Sequence, residues 1–257
     1  MLADPDRLFS LPGAEIVKDQ RKIKVARIPG RLAGNAANIY LKRYNAFSWR
    51  YRFFSVCRPS AAWRAWRGAS ILVANGFHTG RPLAAVECRS WGMLTKSYYL
   101  SEEIPSAKTV DGCWIEDLAL VRGAEGRRRR RELLQALAML FRRLHAARIY
   151  HNDLKDANIL VRPADRYTDQ SFFLLDLEGI RRGFGLSLRR RIKNVVQLNR
   201  TLGRFMSRTD KWRWAGVYLG EEFYDRAVRR NWLKRIIRAT ARADAHSIGK
   251  KKRDLTK

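Results

Sequence analysis

The chain has 257 residues, 46% of them hydrophobic and 11% aromatic, enough apolar material for one or two buried cores and too much for a disordered polypeptide. Its 53 Lys and Arg stand against 24 Asp and Glu, a formal net charge of +29, and that excess points to an anionic partner: nucleic acid, an acidic membrane face or a phosphorylated substrate. No stretch approaches the ~20 apolar residues of a membrane span, and the acidic start Met1–Asp6 is unlike a signal peptide.

Residues 1–14 read as a loose lead-in ending at Pro12-Gly13. Glu15–Val17 and Ile23–Ile28 then read as strands around the polar turn Lys18–Lys22. A loop is predicted from Pro29-Gly30 to Asn38, and a third strand over Ile39–Tyr44. Pro59-Ser60 is a helix start signal ahead of Ala61–Leu72. Strands over Pro82–Arg89 and Ser97–Leu100 complete a sheet-rich half that ends at Glu102–Pro105. Beyond it, Leu133, Leu137, Leu140, Phe141 and Leu144 line one face of a helix that runs to His145–Arg148. Ile149-Tyr150 leads into a polar loop, and Ile159–Val161 and Phe172–Leu175 read as two strands joined by the turn Pro163–Gln170. Helices follow over Ser187–Arg204 and Glu221–Ala241, and the basic run Lys250–Arg253 reads as disordered tail. Cys57, Cys88 and Cys113 are odd in number and scattered, and read as reduced core cysteines; the four histidines form no ligand pair.

The polar loop carries the chemistry. His151-Asn152-Asp153-Leu154-Lys155-Asp156-Ala157-Asn158 places a Lys two residues and an Asn five residues after one Asp, and Leu174-Leu175-Asp176-Leu177-Glu178-Gly179 adds a second Asp at the end of an apolar run. Phosphoryl transfer from ATP needs this set: a carboxylate on the acceptor hydroxyl, a cation on the transferring phosphate, and oxygen ligands for Mg2+. Asp153 is the candidate base, Lys155 the cation, and Asn158 and Asp176 the magnesium ligands. His151 is expected to organise the loop. A connection with ordinary polar residues is the bland alternative, and the joint order and spacing favour the chemical reading. Lys42, in the third strand, is either a solvated strand lysine or the lysine that holds the α- and β-phosphates of ATP; the downstream motif favours the second.

These residues resemble the lipopolysaccharide core kinases of the Kdo/WaaP family, over roughly Glu15 to Leu202 and most sharply over Tyr150–Val161 and Phe172–Gly179; Ile39–Tyr44 is similar to that family's strand with the ATP lysine. The resemblance implies an α+β, bilobal, protein-kinase-like fold with a small antiparallel β N-lobe at 15–104 and a mainly helical C-lobe at 105–245, flanked by the lead-in 1–14 and a basic tail 246–257. It implies ATP- and Mg2+-dependent phosphorylation of a heptose or Kdo hydroxyl in the lipopolysaccharide inner core. Asp153 is then the proton acceptor, Lys42 the ATP lysine, and Asn158 and Asp176 the metal ligands. The expected partners are core lipopolysaccharide or a related glycolipid and the anionic face of the bacterial inner membrane, on which the protein is expected to sit from the cytoplasm; no protein partner is legible.

Four departures from protein kinases stand out. Asn152 replaces the Arg that reads a phosphorylated activation loop, and the stretch from Gly179 to Ser187 is too short for a peptide platform. No acidic residue lies between Lys42 and Glu87, so Glu87 or Asp176 is expected to steady Lys42, or the phosphates alone do. No Gly-rich phosphate loop is visible, and Glu178 is a candidate for a second metal carboxylate. The runs Arg127–Arg131, Arg181-Arg182, Arg189–Arg191 and Arg229-Arg230 suit an anionic leaflet, and Trp212-Arg213-Trp214 is either core or an interfacial anchor. The rival readings are another small-molecule or protein kinase of this fold, a pseudokinase scaffold, and a basic nucleic-acid-binding protein; the last leaves Asp153 and Asp176 without a purpose.

Overall fold

The protein, seen here as a computed structural model, is described over residues 4–46 and 48–255. The chain divides into two compact units: Met1–Pro105 with Leu174–Ile180, and Ser106–Phe173 with Arg181–Lys257. The Asp176 segment, expected in the helical half, therefore groups with the sheet.

The first unit is built on an antiparallel sheet of β1 (Glu15–Asp19), β2 (Ile23–Leu32), β3 (Asn35–Asn45), β4 (Pro82–Ser90) and β5 (Met93–Glu102), in the order β1-β2-β3-β5-β4. The loop predicted from Pro29 to Asn38 is instead the outer half of the β2–β3 hairpin, with Pro29 opposite Asn38. Proline is tolerated there because β1 covers β2 only as far as Arg27, so the missing N–H faces no partner strand. Ala33 and Gly34 both take positive φ, 50° and 83°, and close the hairpin with a two-residue turn of the kind that matches strand twist. α1 (Trp49–Phe54) was not legible, whereas α2 (Ala61–Val73) starts where expected: the Ser60 hydroxyl accepts the Trp63 N–H at 3.1 Å. The lead-in is not loose. Leu8 joins the core of Ala26, Ile28, Leu41, Tyr98 and Leu100, while Asp6 pairs with Arg43 at 2.9 Å and Lys96 at 2.5 Å.

The second unit begins with β6 (Lys108–Thr109) and one turn of helix, α3 (Val110–Gly112), continued as a π-helical stretch to Leu118. α4 (Gly123–Ala146) buries Leu133, Leu137, Leu140, Phe141 and Leu144, the face read from the sequence. β7 (Ile149–His151) leads into the motif loop, and β8 (Ile159–Val161) leaves it, paired antiparallel with β6. β9 (Phe172–Leu174) and β10 (Ile180–Arg182) flank the Asp176 segment, and α5 (Leu188–Thr201), α6 (Arg208–Leu219) and α7 (Arg226–Leu255) complete the chain. α7 is helical through the Lys250–Arg253 run expected to be disordered. α6 was not read from the sequence, where Trp212-Arg213-Trp214 was weighed only as core or interfacial anchor. Trp214 is buried against Phe141 and Tyr218, with ring centroids at 5.6 and 5.1 Å, while Trp212 stays half exposed under Arg229.

The arginine runs are not uniformly solvent-facing. Arg130 donates to the Leu118 and Val121 carbonyls at 2.6 and 3.1 Å, Arg128 bridges Glu125 and Glu132, and Arg191 lies over Trp232 at 4.7 Å. Arg127–Arg131 also sits past the first turn, behind Glu125, where the helix dipole opposes cations little. Cys113 is buried as expected, Cys88 is half-buried and Cys57 is exposed; all three are free thiols.

Candidate active site

In the second unit the motif loop is held by its own backbone and by α5. Leu154 is fully buried and anchors the loop, which fixes Asp153 and Lys155 on either side of it. The Asp153 carboxylate accepts from Lys155 Nζ at 2.8 Å and from Asn158 Nδ2 at 3.1 Å, and Asn158 Nδ2 also donates to the Asp153 carbonyl at 2.8 Å. The three predicted residues are thus together. Because Asn158 spends its amide N–H groups on Asp153, its side-chain oxygen is left as the donor for a hard cation. His151 is buried, and its Nδ1 accepts the Asp153 N–H at 3.1 Å, so it orients the loop through its neutral ring.

Two residues on α5 escaped the sequence reading. Gln197 accepts the Leu154 N–H at 3.2 Å, donates to the Asn152 carbonyl at 2.8 Å and reaches Asp153 Oδ1 at 3.5 Å. Fully buried Asn194 donates to the His151 carbonyl at 2.6 Å and to Gln197 at 2.9 Å. The available signal was a polar pair at i, i+3 within the apolar run of Ile192, Val195, Val196 and Leu198.

Asn194 is backed by His145, whose Nε2 meets Asn194 Oδ1 at 3.2 Å and whose Nδ1 meets the Tyr218 hydroxyl at 2.7 Å. Burial, with the nearby Arg191 charge, lowers the His145 pKa to about 4 even though Asn194 favours the charged ring. A folded-state value below the ordinary 6.5 means that the unfolded chain binds the proton more readily, so stability present at neutral pH is lost between about 6.5 and 4. The loss is on the order of 3 kcal/mol for complete titration. Melting temperatures measured across that window are expected to fall more steeply for the wild type than for His145→Gln; parallel curves would remove His145 as the cause.

In the first unit Lys42 occupies the middle of the sheet, opposite Val25 of β2 and Tyr99 of β5. Its Nζ is ion-paired with Asp176 and lies 3.5 Å from Glu178 Oε2. The missing helix glutamate is thereby replaced by two carboxylates on one turn. Glu87, the other candidate, accepts from Arg89 at 2.8 Å and from the Ser60 N–H at 3.3 Å and so serves the start of α2. The Tyr44 phenol stands beside the same pair, with its ring 5.0 Å from Lys42 Nζ; burial, then the Glu178 and Asp176 carboxylates, push its pKa well above the ordinary value.

Asp176 has φ 58°, ψ 50°, a left-handed conformation that costs energy for any non-glycine residue. The segment is pinned on both flanks. Leu174 N–H donates to the His78 carbonyl at 2.9 Å, Thr79 donates to the Leu174 carbonyl at 2.8 Å, and the Leu177 carbonyl packs against Gly68 of α2. Among the described residues no three or more His, Cys, Asp or Glu side chains gather as a metal site.

The description "Lipopolysaccharide kinase (Kdo/WaaP) family" matches residues 21–218. The chain belongs to that family. It is a kinase of lipopolysaccharide biosynthesis, and the match encloses Lys42, the Asp153 loop, Asp176 and α5. Among solved structures it is similar to "WaaP in complex with acyl carrier protein", at 19% identity and a TM-score of 0.65 over 93% of this chain and 92% of the other. The likeness shows the protein-kinase-like α+β fold. That complex also contains a protein partner of a kind nothing in this sequence signalled. No curated protein matches the sequence.

Proposed function

We propose that the protein transfers the γ-phosphoryl group of ATP, with Mg2+, to a sugar hydroxyl, heptose or Kdo, of the lipopolysaccharide inner core at the cytoplasmic face of the inner membrane. The observation that carries this reading is the Asp153 carboxylate, fixed by Lys155 and Asn158 on a buried anchor. Asp153 takes the proton of the acceptor hydroxyl as the new O–P bond forms and the bond to the ADP oxygen breaks. Lys155 offsets charge on the transferring group, and Lys42 holds the α- and β-phosphates. Asp176 and Asn158 would supply oxygens to Mg2+, which would shield the phosphate charge, and Glu178 helps to place Lys42. A small or lipid-borne acceptor is favoured because only Ile180–Ser187 separates Gly179 from α5, too little chain to hold a peptide.

Incubation with labelled ATP, Mg2+ and core lipopolysaccharide dephosphorylated beforehand tests the reading directly. Label is expected in the sugar core; label in protein only, or none, would refute it. Gln197 is a positioning residue, and Gln197→Ala leaves the buried Leu154 N–H without its acceptor, at about 1–3 kcal/mol of local stability. We expect kcat to fall by about tenfold, with the KM for ATP unchanged and no rescue by Gln197→Glu, which loses the donors to the Asn152 carbonyl and Asp153. A matching rise in KM with kcat intact would show that Gln197 does not act through Asp153.

A further inference from the structure

Among the described residues, the most exposed large apolar residue of the first unit is one that nothing in the kinase mechanism uses. Trp91 is 95% exposed at the tip of the β4–β5 hairpin, where Ser90 pairs with Met93 and only Trp91 and Gly92 make the turn. Both take positive φ, 53° and 74°. Asn or Gly is the residue such a turn favours, and a bulky ring there carries backbone strain while making no use of its indole inside the fold. Next to it lies the end of α1. The Arg89 guanidinium donates to the Gly92 carbonyl at 2.9 Å and to the Ser55 carbonyl at 3.3 Å, and the Ser55 hydroxyl accepts the Leu94 N–H at 2.9 Å. These bonds tie the hairpin tip to the segment that carries Trp49, Phe54 and Val56, which are 77%, 52% and 59% exposed.

The surrounding charge is mostly positive. Arg52, Arg58, Arg64 and Arg67 fall in a stretch with no acidic residue between Lys42 and Glu87, Glu87 itself is taken up by Arg89 at 2.8 Å and the Ser60 N–H, and the Arg58 guanidinium lies 5.5 Å from the Phe54 ring. Arginine alone would suit any polyanion. Aliphatic and aromatic side chains standing in water among cations suit a surface that is anionic at its face and apolar just beneath it. We propose that the Trp91 hairpin tip and the α1 segment form a docking surface that inserts Trp91, Phe54 and Val56 between the headgroups of an anionic phospholipid bilayer, with Arg58 among the phosphates. The interfacial preference of indole rings and the roughly 1 kcal/mol per surface cation at an anionic leaflet act together there.

The test needs no kinase substrate and is independent of the proposed reaction. The full chain is sedimented with phosphatidylcholine vesicles with and without phosphatidylglycerol. Trp91→Asn keeps a residue that accepts positive φ, and combined with Phe54→Ala it is expected to lower partitioning onto the anionic vesicles by about tenfold or more, with the melting temperature kept. Arg58→Gln is expected to lose about fivefold, the equivalent of about 1 kcal/mol. The exposed thiol of Cys57, labelled with an environment-sensitive fluorophore, is expected to shift to the blue with anionic vesicles only. Unchanged partitioning of the double variant, equal binding to both vesicle types, or a Cys57 probe that responds to single-stranded DNA and not to vesicles would each overturn the proposal.

Discussion

Asp153→Asn is expected to lower kcat for phosphoryl transfer by about 10²–10⁴-fold, the range that one positioned acid–base group contributes. The substitution keeps the shape of the side chain and its place beside Lys155 and Asn158. It removes the charge that receives the hydroxyl proton and the counter-charge of Lys155. Binding of ATP does not depend on that proton, so the KM for ATP is expected to stay within about a few-fold and the loss to appear in kcat, as about 3–5 kcal/mol of transition-state stabilisation. A variant with kcat within a few-fold of wild type would mean that the acceptor hydroxyl loses its proton elsewhere, and the role given to Asp153 would fall. A kcat loss accompanied by a fall of many degrees in melting temperature would instead place Asp153 among the residues that hold the loop.

The parts of this site that were legible in the sequence are those whose chemistry is local. Asp153, Lys155 and Asn158 lie within six residues of one another, so their order specifies a loop in which all three converge. The strand of Lys42 and the capped start of α2 were readable for the same reason: β-branched and aromatic alternation and a Ser at the N-cap are short-range signals. What could not be read depends on contacts distant in sequence. Asp176 was one of the groups the sequence offered to Lys42, but nothing near Lys42 chooses it over Glu87 or shows that Glu178, more than a hundred residues on, joins it. Gln197 and Asn194 look like a polar break in an apolar helix until His151 and Leu154 are seen at their amides. The arginine runs misled in a different way. A run reads as one solvated face, yet Arg130 and Arg191 are drawn inward by carbonyls and rings that composition does not reveal.

Gly68→Ala is expected to destabilise the first unit and to reduce activity, although alanine within a helix ordinarily stabilises by up to about 1 kcal/mol over glycine. Gly68 lies in α2 with φ in the helical region, so no unusual backbone conformation demands a glycine there. The demand is steric. A Cβ at this position would overlap the Leu177 carbonyl oxygen and come within 3.0 Å of the Leu177 carbonyl carbon and 3.1 Å of Ile180 Cβ. The obstacle is backbone, which cannot swing aside as a side-chain end would, and overpacking of this kind costs about 1–3 kcal/mol. The turn that must yield is the one that follows Asp176, whose left-handed backbone is held in place by this packing and by the Leu174 hydrogen bonds. Displacing it moves Asp176 and Glu178 away from Lys42, so activity is expected to fall further than the stability loss alone accounts for, and the KM for ATP to rise. A Gly68→Ala protein with raised melting temperature and unaltered KM would show that α2 and the Asp176 turn do not hold each other in register, and that Lys42 owes its placement to the sheet.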